Sequence, residues 1–256
     1  MTVYQIFFSP AGTTQKTADT IGSALADALQ APLQKIDLLR TPGPELRCTQ
    51  EDVVLFCLPV FAGRIPAVCA SQLANIHGSG TPAITAVVYG NREYDDALLE
   101  LFDLAQAQGF QVLGAAAVVA QHSIFPQVAS GRPNAQDLSA CTGFVQDCVQ
   151  KLRHADTLSA KLPGSRPYRK PGSVPVKPRT DKNRCTSCKV CALLCPAQAI
   201  PADTPWQTDK QRCISCMACI SACPAKARSL GGLLYKIGGA AFVKKCSTPR
   251  TPEFYL

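Results

Sequence analysis

Apolar runs rich in β-branched and aromatic residues alternate with amphipathic stretches along the first 155 residues. The apolar runs predict strands over 3–8, 33–38, 53–58, 83–89 and 110–120. Apolar residues at helical spacing predict helices over 14–29, from about 66, over 97–105 and over 136–152. Strands that alternate with helices, and that are apolar on both faces, are typical of a parallel sheet covered on both sides.

The number of strand–helix units narrows the fold class. Five units fit a doubly wound, five-stranded parallel α/β sheet of the flavodoxin-like order, in which ligands bind near the switch point, at the carboxyl ends of the strands. Three loops with distinctive composition each follow a predicted strand. They span 9–14, 59–64 and 90–95. We expect these loops to converge on one edge of the sheet.

The loop from Ser9 to Thr14 joins the first strand to the first helix. A glycine-containing, hydroxyl-rich turn at a helix N-terminus can bind phosphate through backbone N–H groups. A Walker-type loop is excluded because no Gly-Lys-Ser/Thr follows at the required spacing. A dinucleotide fingerprint is excluded because G-x-G-x-x-G is absent.

Two of these loops resemble those of flavodoxins. The segment 9–14 (SPAGTT) is similar to the flavodoxin phosphate loop T-x-T-G-x-T, and 90–96 (GNREYDD) is similar to the loop that carries an aromatic ring onto the flavin. The resemblance implies FMN. It places the phosphate on Ser9, Gly12, Thr13, Thr14 and Gln15, the ring between Phe61 and Tyr94, and its polar edge on the backbones of Ala62, Gly63, Gly90 and Asn91.

This flavodoxin resemblance has two departures and one alternative. Ala11 replaces a phosphate-binding hydroxyl, and Phe61 stands where many flavodoxins have Trp. The loss of one hydrogen bond costs on the order of 1 kcal/mol. The alternative is a flavodoxin-like fold with an empty pocket, in which Thr13 merely caps the helix.

A repeated cysteine pattern lies in the second half of the chain. Each copy reads C-x-x-C-x-x-C-x-x-x-C-P, and the second begins 28 residues after the first. The cysteines are Cys185, Cys188, Cys191 and Cys195, then Cys213, Cys216, Cys219 and Cys223. Zinc sites usually pair two C-x-x-C units across a longer loop, which does not account for three close cysteines and a displaced fourth.

Residues 181–228 resemble a bacterial two-cluster ferredoxin. In such modules the fourth cysteine of each run binds the other cluster. The resemblance implies one [4Fe-4S] cluster on Cys185, Cys188, Cys191 and Cys223, and a second on Cys213, Cys216, Cys219 and Cys195. The Gly often found between the second and third cysteine is Lys189 in one run and Met217 in the other.

The other cysteines, the lengths of the apolar runs and the charge distribution predict the compartment and the partners. Six further cysteines are scattered, at 48, 57, 69, 141, 148 and 246, and we expect them to be small buried residues. No signal peptide and no apolar run of about 20 residues is apparent, so we expect a cytoplasmic protein that does not bind membranes.

Residues 1–150 carry 7 basic and 13 acidic side chains, whereas residues 151–256 carry 19 and 5, giving net charges of −6 and +14. Without a nucleic-acid-reading motif, this basic half indicates an acidic redox protein partner, or the first domain itself.

The domain organisation follows from these shifts in composition. We predict a flavodoxin-like domain over 1–155, a linker rich in Pro and basic residues over 156–180, a small α+β ferredoxin module over 181–228 and a packing segment over 229–256. We favour a linker that lies over the first domain to one that docks another protein. The segment after Pro224 is expected to pack as a short helix against the ferredoxin module. His122 lies near the predicted flavin edge, where a structural role is favoured over acid/base chemistry.

These features predict an electron-transfer protein without catalytic residues. A [4Fe-4S] cluster carries one electron at a time and a flavin carries one or two, so the two together can connect partners with different electron counts. Two alternatives stay open. One is a flavin-dependent reductase of a small substrate that is fed by the clusters, and the other is a docking module with an empty flavodoxin-like domain.

Overall fold

The computed structural model describes residues 1–172 and 174–256. The first 155 residues form alternating strands and helices, and short elements follow in the cysteine-rich segment. The strands are β1 (Val3–Phe7), β2 (Leu33–Asp37), β3 (Leu46–Arg47), β4 (Val53–Pro59), β5 (Ile76–His77), β6 (Thr81–Tyr89), β7 (Phe110–Val119), β8 (Arg179–Thr180), β9 (Arg228–Ser229) and β10 (Glu253–Tyr255). The helices are α1 (Thr13–Leu29), α2 (Ala67–Leu73), α3 (Ala97–Ala107), α4 (Ala135–Arg153), α5 (Val190–Leu193), α6 (Ala218–Ser221) and α7 (Leu233–Lys245).

The main sheet has the strand order β10-β7-β6-β4-β1-β2. Its strands β2, β1, β4, β6 and β7 are parallel, which is the doubly wound flavodoxin-like order. The order reverses between β1 and β4, so the switch point lies beside the loop that follows β1. The predicted five-stranded parallel sheet is therefore confirmed.

Two apolar cores cover the faces of this sheet. Every residue of β4 and β6 is buried, because helices lie on both sides. On one face, Leu98 and Leu101 of α3 pack against the sheet. On the other face, Ile21 of α1 and Phe144 of α4 do the same. This arrangement leaves the carboxyl edge of the strands free to carry functional loops.

The linker lies along the first domain. Leu162 is buried in the core beside α3, and the Leu158 N–H donates to the carbonyl of Val112 on β7. Farther along, Arg166 pairs with Asp103 of α3. This arrangement agrees with the interpretation that the linker is a spacer held on the first domain.

The C-terminal segment contacts both modules and then returns to the main sheet. Helix α7 is 13 residues long, and its Tyr235 and Phe242 pack with Phe125 of the β7–α4 loop and with Met217 of the cysteine-rich module. The chain then ends in β10, which pairs antiparallel with β7. The expectation of a short helix on the ferredoxin module missed this sixth strand, because its partner β7 is more than 130 residues away in the sequence.

Substitution of Phe254 tests the packing of β10. The Phe254 ring stacks on that of Phe144, with centroids 4.9 Å apart. Because Phe254 is only partly buried, we expect Phe254→Ala to lower the free energy of unfolding by about 2 kcal/mol in urea denaturation followed by circular dichroism. The matched control is Gln111→Ala on the exposed side of β7, expected to change it by less than about 0.5 kcal/mol. Equal effects of the two substitutions would contradict the pairing of β10.

Candidate cofactor and metal sites

The loop after β1 leaves the N-terminus of α1 open. Gly12 is the N-cap residue, with a φ of 91°. Because glycine has no side chain, the N-cap residue itself cannot cap the helix. The backbone N–H of Gln15 donates to Ser9 Oγ at 2.8 Å, which holds the loop against the helix. A Cβ on Gly12 would meet nothing within 4 Å, so the space outside this turn is open. The first-turn N–H groups beside Thr13 and Thr14 can therefore receive an anion.

The loop after β4 is a tight turn that presents Phe61. The backbones of Phe61 and Arg64 bond each other in both directions, at 2.8 and 3.2 Å, across Ala62 and Gly63, which have positive φ. A Cβ on Gly63 would lie 2.2 Å from Asp95 Oδ2, so only glycine fits there. Arg64 is fixed in turn by Glu100 of α3, which accepts two hydrogen bonds of 2.6 Å from its guanidinium.

The loop after β6 lines the groove beside Phe61 through Gly90, whereas its later residues contact the C-terminal segment. Tyr94 is buried, and its hydroxyl bonds Glu253 at 2.7 Å and the hydroxyl of Tyr255 at 2.8 Å. The Asn91 side chain donates to the carbonyls of Cys246 and Thr248. In this structure Tyr94 and Phe61 therefore do not flank a common space, although the flavodoxin resemblance placed a ring between them.

The side chain of His122, and not that of Tyr94, lines the groove beside Phe61. It extends over Gly90, where an added Cβ would be 2.4 Å from its Cδ2. Its Nδ1 accepts from the backbone N–H groups of Ile124 and Phe125, at 3.1 and 3.2 Å, so the proton of the neutral ring is on Nε2. Burial, with a smaller effect of Arg92, lowers the pKa of His122 to about 4. The geometry agrees with the structural role that the sequence favoured for this residue.

A narrow groove connects these loops to the second cysteine run. Its walls include Thr13, Thr14, Phe61, Gly90 and His122, together with Cys216 from the cysteine-rich module. Its volume is about 60 Å³, whereas pockets for small molecules usually measure about 300–1,000 Å³. The phosphate end thus fits an anion, and a planar ring enters only if the groove widens.

The eight cysteines of the two runs gather around two small cavities. One cavity is lined by Cys185, Cys188, Cys191 and Cys223, and the other by Cys195, Cys213, Cys216 and Cys219. This is the grouping that exchange of the fourth cysteines predicts. Among the residues that the structure describes, no three or more His, Cys, Asp or Glu side chains are arranged for a single metal ion.

The backbone around the two cavities repeats from one run to the next. Lys189 and Met217, which occupy the position where ferredoxins often have Gly, both have positive φ, of 64° and 68°. The N–H of Ala199 donates to Cys195 Sγ at 3.2 Å, and the N–H of Ala227 donates to Cys223 Sγ at 3.3 Å. Non-glycine residues are thus tolerated in the left-handed region, and amide donors already point at sulfur.

The two cysteine sets face different environments. We call the set of Cys185, Cys188, Cys191 and Cys223 the outer set, because Cys188 is exposed and the adjacent Leu193 is 82% exposed. The other four cysteines form the inner set, in which Cys216 and Cys219 are buried. Lys177 of the linker donates to the carbonyl of Cys213 at 2.6 Å, and Met217 packs against Ile124 of the first domain. The inner set is therefore covered by the first domain.

Burial opposes ionisation of two inner cysteines, Cys216 and Cys219. It raises the pKa of the Cys216 thiol to about 12 and that of Cys219 to about 11. Metal ligation requires thiolates, so assembly of a metal centre here releases protons. The six scattered cysteines are all buried and free, as expected from the sequence.

Comparisons with known proteins gave matches to two parts of the chain. Residues 184–227 match the family described as 4Fe-4S dicluster domain. Solved structures similar in fold include a flavodoxin from the domain Archaea, at 16% identity over 60% of this chain and 100% of that one, with a TM-score of 0.44. A flavodoxin of Streptococcus pneumonia TIGR4 (13% identity, 59% and 99% coverage, TM-score 0.42) and oxidised Flavodoxin 2 from Bacillus cereus (16%, 59% and 99%, 0.42) are also similar. No curated protein shows a significant match to the chain.

The chain therefore joins a flavodoxin-like domain to a 4Fe-4S dicluster domain, in the order that the sequence predicted. The strand order is the evidence for the flavodoxin-like domain, and the family match over 184–227 is the evidence for the dicluster domain. Within the described residues, no helix is both long and apolar enough to span a bilayer.

The linker is fastened to the β6–α3 loop by Asp96. Its carboxylate accepts from the N–H groups of Ser165 and Arg169, at 2.9 and 2.7 Å. Burial raises the pKa of Asp96, but these hydrogen bonds outweigh that effect, and the pKa lies below its usual range. The bonds stabilise the fold fully above the unfolded-state pKa of about 3.9, and that stability is lost as the pH falls through the lower folded-state value.

We expect Asp96→Asn to loosen the linker. At pH 7 the free energy of unfolding should fall by about 1–3 kcal/mol, because the charged acceptor of two N–H groups is lost. The difference from the unsubstituted protein should shrink as both are acidified below about pH 4. Hydrogen exchange at Ser165 and Arg169 gives the local measurement, with Asp156→Asn, an exposed acidic residue of the same linker, as the control. Unchanged protection of these two amides in Asp96→Asn would contradict the role of this carboxylate.

Proposed function

We propose that this protein transfers electrons between FMN, two [4Fe-4S] clusters and external redox protein partners. One observation carries the proposal: Cys216, a member of the inner cysteine set, lines the same groove as Thr13 and Thr14 of the phosphate loop. A flavin bound in this groove and a cluster bound at the inner cysteine set would therefore be neighbours, with little protein between them.

The clusters would be held by cysteines from both runs. The outer set would bind one cluster and the inner set the other, each with three thiolates from one run and one from the other. The cavity of the outer set is also lined by the apolar residues Val190, Pro205 and Ala227 and by the basic residues Lys189 and Arg228. Apolar neighbours, nearby charges and exposure to solvent would all affect a metal centre bound there.

The flavin would occupy the groove at the carboxyl edge of the sheet. Backbone N–H groups at Thr13 and Thr14 would bind its phosphate, and Phe61 would lie against the ring. Bound FMN supplies one- and two-electron chemistry next to the one-electron clusters. His122, neutral with its proton on Nε2, would offer a single uncharged donor to the ring.

The partner would dock at the outer set. Lys182, Arg184 and Lys189 are exposed there, and Asp181 is the one acidic residue between 181 and 202. A positive surface beside a solvent-facing cluster attracts a partner with an acidic face and accelerates their encounter. The inner set is covered and would exchange electrons within the chain.

A comparison of FMN with riboflavin tests the flavin site. FMN should bind the protein at least about tenfold more tightly than riboflavin, because only FMN has a phosphate for the helix N-terminus. Thr13→Asp places a carboxylate in that position, which stabilises the helix but repels phosphate. This variant should lose most of the preference for FMN and keep its weaker affinity for riboflavin.

Isothermal titration of the metal-loaded protein with each flavin measures these affinities. Binding of neither flavin would contradict the proposal and favour an empty flavodoxin-like domain. The matched control is Ser23→Asp, which places the same carboxylate at an exposed position of α1 well beyond its first turn and should leave both affinities unchanged.

Electron transfer within the chain has its own test. Protein loaded anaerobically with iron, sulfide and FMN is photoreduced with less than one electron per chain, and absorbance follows the electron between clusters and flavin. The rate of redistribution should be independent of protein concentration, since both carriers lie in one molecule. A rate proportional to concentration would contradict the transfer path, and Thr13→Asp protein without FMN provides the baseline.

A second groove supports the other candidate function, that of a flavin-dependent reductase of a small substrate. It measures about 490 Å³ and lies beside Phe61 and Cys213, with Ile65, Val174 and Lys177 among its walls. A small substrate there would contact the other side of Phe61. Turnover of added substrates by the isolated, fully loaded protein distinguishes a reductase from a carrier.

A further inference from the structure

One lysine of the linker is bonded to the second cysteine run. The ammonium group of Lys177 donates to the carbonyl oxygen of Cys213 at 2.6 Å and to Ser215 Oγ at 3.1 Å. The Ser215 hydroxyl donates in turn to the carbonyl of Val176 at 3.0 Å. Pro178, the next residue of the linker, is buried and lines the inner cavity. These contacts hold the ammonium group against a cysteine of the inner set.

The ammonium group of Lys177 lies close to a thiol of that set and has no counterion. The carbonyl oxygen and the sulfur of one cysteine are at most about 5 Å apart, so Nζ lies within about 8 Å of Cys213 Sγ. Among the described residues, no carboxylate lies within ion-pair distance of Nζ. The side chain is half-buried, so solvent screens its charge only in part.

The equivalent turn of the first run lacks this cover. Ser187 occupies the position that Ser215 has in the second run, and both residues have a φ of 55°. Ser187 is exposed, whereas Ser215 is only 4% exposed. The same turn is therefore open to solvent in the first run and covered by a fixed cation of the linker in the second.

We propose that Lys177 raises the reduction potential of the cluster held by the inner cysteine set. The inference rests on the proposed function, because it requires a cluster at that set. Each added electron makes a cluster more negative, so a nearby cation stabilises the reduced form. The effect comes from one charge held at a fixed position, and it requires no contact between Lys177 and a sulfur atom.

The linker would thereby do more than separate the two domains. It brings a positive charge to the cluster beside the flavin groove, since Cys216 of the same set lines that groove. A higher potential at this cluster would make the transfer of an electron from the outer to the inner cluster more favourable. The linker would thus help to draw electrons inward from the cluster that Cys188 exposes to solvent.

The test is a redox titration of the metal-loaded protein, followed by electron paramagnetic resonance. Lys177→Met removes the charge and keeps a long, unbranched side chain. The ratio of reduced to oxidised inner cluster at a fixed potential should then fall at least about threefold, which is about 28 mV for one electron. Lys177→Arg keeps the charge and should produce a smaller fall. A soluble paramagnetic dysprosium complex, which broadens the signal of the exposed cluster more, tells the two clusters apart.

The matched control is Lys210→Met. Lys210 lines the same groove as Lys177 and Cys213, but it is exposed, so solvent screens its charge. Its substitution removes the same charge and should shift the inner potential clearly less than Lys177→Met does. Equal shifts in the two variants, or a larger shift of the outer cluster in Lys177→Met, would overturn the inference.

Ser215→Ala decides the matter if Lys177→Met protein fails to assemble the inner cluster. It removes one acceptor of the ammonium group, and it should lower the inner potential by less than the loss of the charge itself. Iron and sulfide analysis separates two failures. A full metal content with an unmoved inner potential, in Lys177→Met or in the Ser215→Ala protein that replaces it, overturns this inference alone. A chain that assembles no clusters without any substitution overturns the proposed function and this inference with it.

Discussion

The packing of both cysteine runs around shared cavities constrains the second half of the chain. The outer cavity draws Cys223 from the second run, and the inner cavity draws Cys195 from the first. Neither run lines a cavity alone, so the two runs must fold together. Met217 of the second run packs with Ile124 and Phe125, which brings this unit against the first domain, and the short pair β8–β9 joins it to the end of the linker.

That orientation gives the two similar runs different surroundings. The first run faces solvent with basic residues around Cys188, and the second faces the groove between Thr13 and Phe61. Helix α7 and the aromatic cluster of Phe125, Tyr235 and Phe242 fill the rest of the junction. A repeat that looks symmetric in sequence thus has one exposed run and one covered run.

Much of this arrangement was predictable from local patterns, and the rest depends on contacts that are distant in the sequence. The apolar runs predicted all five parallel strands, because each of these signals lies within a few residues. The assignment of the eight cysteines to two sets was implied by the resemblance to two-cluster ferredoxins, since it joins runs that begin 28 residues apart. The partners of Tyr94 could not be predicted, because Glu253 and Tyr255 reach it from the other end of the chain. The position of His122 over Gly90 depends equally on the fold.

The central claim is that the two interleaved cysteine sets hold two clusters. The most direct measurement is the iron and sulfide content of anaerobically prepared protein, for the unsubstituted chain and for Cys223→Ser. The account predicts about eight iron and eight sulfide per chain, and in Cys223→Ser loss of the solvent-facing cluster, which the first run would otherwise hold. Bound zinc without sulfide, or loss of the inner cluster in Cys223→Ser, would contradict it.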